Sequence, residues 1–95
     1  MPKGYLIGHI TVTDPEAYRE YVTRDTPIVE AHGGRFVVRG GRSETVEGET
    51  NERHVVVEFP SYEAAKHFYD SPEYREVMAI RQANAESVMI LVEGA

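Results

Sequence analysis

Apolar and polar residues alternate along four short stretches of the chain. The period of two and the many β-branched residues are typical of half-buried strands. The pattern predicts strands at residues 3–13, 35–39, 53–59 and 87–93. A polar, acidic segment follows Gly40-Gly41 and runs to Asn51, and its composition predicts a loop.

Helix signals lie between the first two predicted strands. Asp14-Pro15 combines an N-cap residue with a proline at the first helical position. Gly33-Gly34 is typical of a helix end. Pro27 lies inside this helix and removes a hydrogen-bond donor, so we expect a kink near Thr26 before the helix resumes.

The order of these elements favours one α+β domain over residues 1–95, with the ferredoxin-like βαββαβ arrangement. Right-handed crossovers would give a four-stranded antiparallel sheet with the helices on one face and a helix-free face opposite. The alternation assigns a uniformly apolar set to the helix-covered face: Leu6, Ile10, Val12, Phe36, Val38, Val55, Val57 and Phe59. The helix-free face receives a mixed set: Tyr5, Ile7, His9, Thr11, Arg35, Val37, Arg39, His54, Val56, Glu58, Met89 and Leu91.

The mixed set predicts a partner for the helix-free face. It is too apolar for open water and too charged for a dry core. A cover that leaves a partly wet cavity would suit both kinds of side chain. A second copy of the chain is the simplest cover, so we expect a homodimer in which two sheets meet face to face.

Composition narrows the classes of partner and location. The formal net charge is −6 and the basic residues form no cluster, so we expect no nucleic-acid partner and no binding to an anionic membrane. No apolar stretch approaches the ~20 residues of a transmembrane helix. The chain has no cysteine and no signal-peptide pattern, so we expect a cytoplasmic location.

Polar side chains of the helix-free face are the main candidates for chemistry. His9 is a candidate acid or base near neutral pH, and Glu58 is a second catalytic candidate. Arg39 suits the anionic oxygen of a carboxylate or enolate, and His54 and Tyr5 are candidate ligand contacts on neighbouring strands. The alternative is an ion-paired dimer seam in which Glu58 neutralises Arg35 or Arg39.

A second helix is predicted after Pro60-Ser61, and its middle carries a cluster of hydroxyl and charged groups. Tyr69, Ser71, Tyr74 and Arg75 are secondary candidates for orienting a ligand. A structural explanation is stronger, because Ser71 precedes a proline and would cap a restarted helix. The tyrosines lie at helix-packing positions.

The sequence predicts neither a metal site nor a cofactor. His54 and Glu58 are four residues apart, which on a strand separates them by about 13 Å. No G-x-G-x-x-G or P-loop spacing is present. Any conversion would therefore be cofactor-free, such as an oxygenation, an isomerisation or a proton transfer.

Several motifs resemble, in one register, a bacterial family of uncharacterised proteins. They are Thr11-Val12-Thr13-Asp14-Pro15, His32-Gly33-Gly34-Arg35-Phe36, Arg39-Gly40-Gly41, Glu47-Gly48, Phe59-Pro60-Ser61 and Tyr69-Asp70-Ser71-Pro72-Glu73-Tyr74-Arg75. Over about residues 3–94 the chain resembles the domain-of-unknown-function family 1330, which is similar to the dimeric α+β barrel proteins. The resemblance implies two ferredoxin-like sheets packed around a cavity. It implies no particular activity, because such folds include oxygenases, isomerases and non-catalytic proteins.

Two functional hypotheses remain open at this point. In the first, a small oxygenated or anionic molecule enters a cavity between the two sheets of the homodimer, with His9 as acid or base and Arg39 as anion anchor. In the second, the chain is a non-catalytic dimeric structural or regulatory module. An open cavity lined by His9 and Arg39 would favour the first hypothesis, and a filled, dry one the second.

Overall fold

Strands and helices follow one another in the order that the sequence predicts. The computed structural model describes residues 2–95. Its elements are β1 (Gly4–Val12), α1 (Pro15–Ala31), β2 (Arg35–Arg39), β3 (Arg53–Phe59), α2 (Tyr62–Asp70), α3 (Pro72–Asn84) and β4 (Ala85–Glu93). All neighbouring strands pair antiparallel, in the order β2-β3-β1-β4. The predicted α+β, ferredoxin-like βαββαβ fold is confirmed, with the second crossover divided between α2 and α3.

The helix ends follow the predicted caps. The Asp14 carboxylate accepts a backbone N–H one turn into α1 at 3.2 Å, and the Ser71 hydroxyl does the same for α3 at 3.3 Å. α1 continues through Pro27 without interruption. Gly33 then adopts a left-handed φ of 79°, which a side chain would disfavour, and the chain turns into β2.

The core lies between the helices and one face of the sheet. Phe59, Phe68 and Tyr74 are fully buried, and successive ring centroids lie 5.2 and 4.5 Å apart. Leu6 and Ile10 of β1 are buried beside them, as the alternation predicts. Removing each such side chain from water stabilises the fold by roughly 1.5–3 kcal/mol.

The face assignment of β4 corrects the sequence prediction. Gly8 pairs with Met89, and Leu6 pairs with Leu91. Directly paired residues share a face, so Met89 and Leu91 pack against the core, and their predicted place on the helix-free face is wrong. The strand is almost continuously apolar, so its own sequence does not distinguish its two faces. The helix-free face instead receives the partners of Tyr5, Ile7 and His9, which are Val92, Ile90 and Val88.

A β-bulge in β2 corrects a second assignment. Phe36 and Val38 pair with successive residues of β3, so Val37 is an extra residue. Because side chains alternate with a period of two, one inserted residue exchanges the faces of everything after it. Val38 is therefore 42% exposed on the helix-free face, and Arg39 turns towards α1. The sequence prediction had placed both residues on the opposite faces.

Candidate functional site

A cavity lies between α1 and the helix-covered face of the sheet. It measures about 430 Å³ when the part open to solvent is counted. The part wide enough for water would hold about two molecules. Most of its wall is apolar, and its polar groups are few: Tyr18, Tyr21, Asp25, Arg39 and Arg53. An apolar wall with a few convergent polar groups is typical of a small-molecule site.

Arg39 lies at the exposed rim of this cavity. Its guanidinium stacks 3.8 Å from the centre of the Phe36 ring, and its Nη2 donates a hydrogen bond to Thr26 Oγ1 at 2.6 Å. Within residues 2–95, no carboxylate forms a salt bridge with it. The bulge at Val37 thus moves Arg39 from the predicted sheet face to the cavity between β2 and α1, where its guanidinium forms no salt bridge within residues 2–95.

Asp25 is a buried acid in the wall of the cavity. Its exposed fraction is 6%, and its Oδ1 has no hydrogen-bond partner in the described part of the chain. Burial raises the pKa of this carboxyl to about 6, against the opposing effects of Arg39 and Arg81. The sequence interpretation did not select Asp25. A signal was present, because Asp25 follows Tyr21 by one helical turn on the apolar stripe of α1.

A buried polar cluster adjoins Asp25. The hydroxyls of Tyr21 and Tyr74 lie 2.7 Å apart, and desolvation raises the pKa of both. Arg81 is 3% exposed, and its Nε and one terminal nitrogen lack partners among residues 2–95. The Nε of Arg53 is also buried without a partner there. Buried polar atoms without a hydrogen-bond partner lower the stability of the fold unless water or a ligand provides that partner.

The helix-free face holds the other predicted site residues in two separate groups. His9 Nδ1 lies 2.9 Å from His54 Nδ1. Glu58 accepts hydrogen bonds from Arg35 Nε at 3.1 Å and from the Tyr5 hydroxyl at 3.2 Å. These bonds, chiefly the one from Arg35, hold the pKa of Glu58 below its ordinary value. Glu58 is therefore an arginine-paired carboxylate, as in the alternative interpretation of the sequence.

The sheet thus separates the predicted site residues into two groups, one on each face. Arg39 lies on the helix-covered face, whereas His9, His54, Glu58 and Tyr5 lie on the other. His9 and Tyr5 are also four residues apart on one strand, which separates them by about 13 Å. A single small ligand therefore cannot contact Arg39 and His9 within one chain.

The secondary candidates have structural contacts. Ser71 caps α3, and its hydroxyl also donates to the Phe68 carbonyl at 2.7 Å. Arg75 forms a salt bridge with Asp70 at 2.9 Å and lies over the Tyr69 ring. Tyr74 is the exception, because its hydroxyl joins the cluster beside the cavity.

Residues 2–95 show neither a cluster of metal-ligating side chains nor a membrane-spanning helix. No three His, Cys, Asp or Glu side chains lie together in a way that could hold a metal ion. None of the helices in this range has the length and apolar character needed to span a membrane.

A family comparison matches nearly the whole chain. The model described as "Domain of unknown function (DUF1330)" covers residues 3–95. No sequence among curated proteins matches.

Three bacterial proteins are among the solved structures with a similar fold. A protein of unknown function from Rhodopseudomonas palustris has a TM-score of 0.79 at 22% identity, covering 99% of this chain and 83% of its own. SnoaB, a cofactor-independent oxygenase from Streptomyces nogalater, has a TM-score of 0.69 at 14% identity, covering 100% and 95%. A dimeric ferredoxin-like protein of unknown function from Thermobifida fusca has a TM-score of 0.63 at 14% identity, covering 97% and 91%. At these identities the likeness establishes the fold alone.

Proposed function

The chain belongs to the DUF1330 family, and from that premise we propose that it binds a small oxygenated or anionic molecule in the cavity between α1 and the sheet. The proposal moves the ligand from the space between two sheets, where the sequence interpretation had placed it, to the helix-covered side of each chain. It keeps Arg39 as the anion anchor.

The observation that carries the proposal is an excess of positive charge around the cavity. Arg39 and Arg53 line it, Arg81 lies close to Asp25, and the salt bridges within residues 2–95 include none of the three. Asp25 is the acid of the lining. Arg81 is buried, Arg53 is half-buried and Arg39 is exposed, and one carboxylate, Asp25, offsets the charge of both Arg39 and Arg81. An anionic ligand would therefore stabilise this arrangement.

The helix-free face has a different part in the proposal. It carries exposed apolar side chains, including Val88 at 52% and Ile90 at 42%. We assign it to the seam of a homodimer, with the Glu58–Arg35 pair and the His9–His54 pair inside that seam. These pairs also support the alternative function, a dimeric structural or regulatory module without catalysis.

The structural neighbours support a small-molecule role only at the level of the fold. SnoaB is described as a cofactor-independent oxygenase, so this fold accommodates conversion of a small molecule without a cofactor. For the present chain, a cofactor-free oxygenation, isomerisation or proton transfer agrees with the apolar cavity and its few polar groups.

Ligand binding is tested by thermal shift with a panel of small carboxylates. Wild type should be stabilised by at least one of them, and Arg39→Met should lose the response, because methionine can pack on Phe36 but binds no anion. Arg42→Met, at an exposed arginine of the loop, is the matched control and should respond like wild type. If wild type responds to none of the carboxylates and Arg35→Met, which removes the seam partner of Glu58, weakens the dimer, the structural module is the better account.

A further inference from the structure

The Asp25 carboxylate is built into the cavity in an unusual way. Only 6% of its surface is exposed, yet Oδ1 accepts no hydrogen bond from any group within residues 2–95. It lies in the wall of the cavity, whose enclosed part has room for groups the size of about two waters, so a ligand hydroxyl can reach it while the rest of the ligand lies in the part open to solvent. A buried acceptor of this kind destabilises the fold if it stays unpaired. A ligand that donates a hydrogen bond there would recover this loss.

The groups that face Asp25 are mostly cations and hydroxyls. α1 contributes Tyr18 and Tyr21, β2 contributes Arg39, and α3 contributes Tyr74 and Arg81. Arg53 of β3 lines the same cavity. Their combined charge is positive, so they stabilise one negative charge in the cavity whether Asp25 or a ligand carries it. A ligand hydroxyl that gives its proton to Asp25 would satisfy Oδ1 and move that charge to the ligand oxygen.

We propose that Asp25 accepts the proton of a ligand hydroxyl, which makes the ligand a weak O–H acid of the phenol or enol class. The proposal rests on the proposed ligand site. The ligand O–H bond breaks, the proton forms a new bond to Asp25 Oδ1, and the electron pair stays on the ligand oxygen. That oxygen becomes an oxyanion, which Arg39 at the rim can hold. The total charge in the cavity does not change.

The raised pKa of the Asp25 carboxyl favours this proton transfer. Burial raises the pKa of its carboxyl to about 6, so it is ionised at neutral pH but a stronger base than an ordinary aspartate. A neighbouring oxyanion would raise this pKa further, because two like charges share the site. The pKa of about 6 already holds in the presence of Arg39 and Arg81, whereas Arg39 would additionally lower the pKa of a hydroxyl bound beside it. The oxyanion and Arg39 together favour transfer of the proton from the ligand to Asp25.

A matched set of probes separates this inference from the ligand site itself. 3-Nitrobenzoate tests the anion site, and 3-nitrophenol adds a hydroxyl that is neutral in water at neutral pH and coloured when ionised. 3-Nitroanisole carries a methyl ether instead and has no proton to give. We expect wild type to bind the first two in preference to the ether, and bound 3-nitrophenol to show the phenolate spectrum.

The pH dependence of binding shows where the proton goes. If Asp25 takes it, no net proton is released, so the affinity of wild type for 3-nitrophenol should be flat between roughly pH 6.5 and 7.5. In Asp25→Asn the proton must leave to solvent, so phenolate binding should strengthen by about tenfold per pH unit. Glu30→Gln, at an exposed acid of the same helix, should behave like wild type.

Each outcome decides one question. A neutral-phenol spectrum in wild type, or a tenfold rise of its affinity per pH unit, would overturn the role of Asp25 while 3-nitrobenzoate binding upholds the anion site. Failure of wild type to bind either probe would overturn both proposals. The wild-type spectrum and pH profile suffice for this decision even if Asp25→Asn does not fold.

Discussion

The two faces of the sheet leave different groups unsatisfied. On the helix-covered face the apolar side chains are packed, but Asp25, Arg53 and Arg81 keep buried polar atoms without partners in the described chain. On the helix-free face the polar side chains are paired, as in the 3.1 Å contact between Arg35 and Glu58. Besides the charged Arg35, the side chains exposed there include a set of apolar ones: Val37, Val38, Val88, Ile90 and Val92.

This difference indicates what each face requires. Unpartnered buried charge is relieved by a polar ligand or by water, whereas exposed apolar surface is relieved by a protein partner. The comparison therefore favours a ligand under the helices and a second chain on the opposite face. Mutations on the two faces should consequently affect different measurements, namely folding and ligand binding on one and association on the other.

The largest effect is expected in the core of the helix-covered face. Phe68 is fully buried and contacts Phe59 and Tyr74, so Phe68→Ala should lower the free energy of unfolding by about 3–5 kcal/mol. Urea denaturation measures this change. Val46→Ala, at a loop residue that is 81% exposed, should change it by less than about 0.5 kcal/mol. Equal effects of the two substitutions would mean that the core is wrongly located.

The next effect concerns association through the helix-free face. Light scattering at micromolar concentration should give about twice the chain mass. Ile90→Asp would place an unpaired charge in the proposed seam, so the dimer dissociation constant should rise at least about a hundredfold, which is about 3 kcal/mol. Val46→Asp introduces the same charge in the exposed loop and should leave the mass unchanged. A monomeric wild type would contradict the assignment of this face.

Asp25 should make stability depend on pH. Its pKa is about 6 in the folded chain against 3.8 ordinarily, so the folded state holds this proton more tightly than the unfolded state does. The stabilisation from this bound proton is complete below about pH 4 and is lost as pH rises through about 6. The free energy of unfolding should fall by roughly 2–3 kcal/mol over this range. The difference between wild type and Asp25→Asn isolates this effect. Asp25→Asn should therefore be the more stable of the two at neutral pH, and a less stable variant would contradict the burial of an ionised carboxylate.

The smallest effect is expected at the helix caps. Asp14→Ala and Ser71→Ala each remove a side-chain acceptor from the first turn of a helix, at 3.2 and 3.3 Å. Each should lower the free energy of unfolding by about 0.5–2 kcal/mol, measured by thermal denaturation. Asp14→Asn and Ser71→Thr retain an acceptor and should recover most of the loss. Unchanged melting of both alanine variants would show that the caps contribute nothing.

Local patterns were sufficient for most of the fold. The alternation of β1 predicted the burial of Leu6 and Ile10, and the cap residues Asp14 and Ser71 predicted the starts of α1 and α3. These features depend on neighbours within a few residues, which the sequence displays directly. The chain order then left few topologies, because crossovers are right-handed.

The site was less accessible to sequence reasoning. The roles of His9, Glu58, Tyr5 and His54 stay predictions, and the structure locates them on the side of the sheet opposite Arg39. Asp25 was overlooked because a single acid on an apolar helical stripe has many explanations. Its unpaired Oδ1 is visible only when the atoms around it are placed.

By itself the sequence determined the kinds of elements, their order and the helix starts, because each of these depends on local sterics and hydrogen bonds. The tertiary structure decided which face each side chain occupies in β2 and β4. Strand register depends on a partner distant in sequence, and one bulged residue at Val37 was enough to carry Arg39 from one face to the other. Packing of the helices on the paired strands brought Asp25, Arg39 and Arg53 to one cavity and Arg81 close to Asp25, because these positions meet only after the sheet and helices pack.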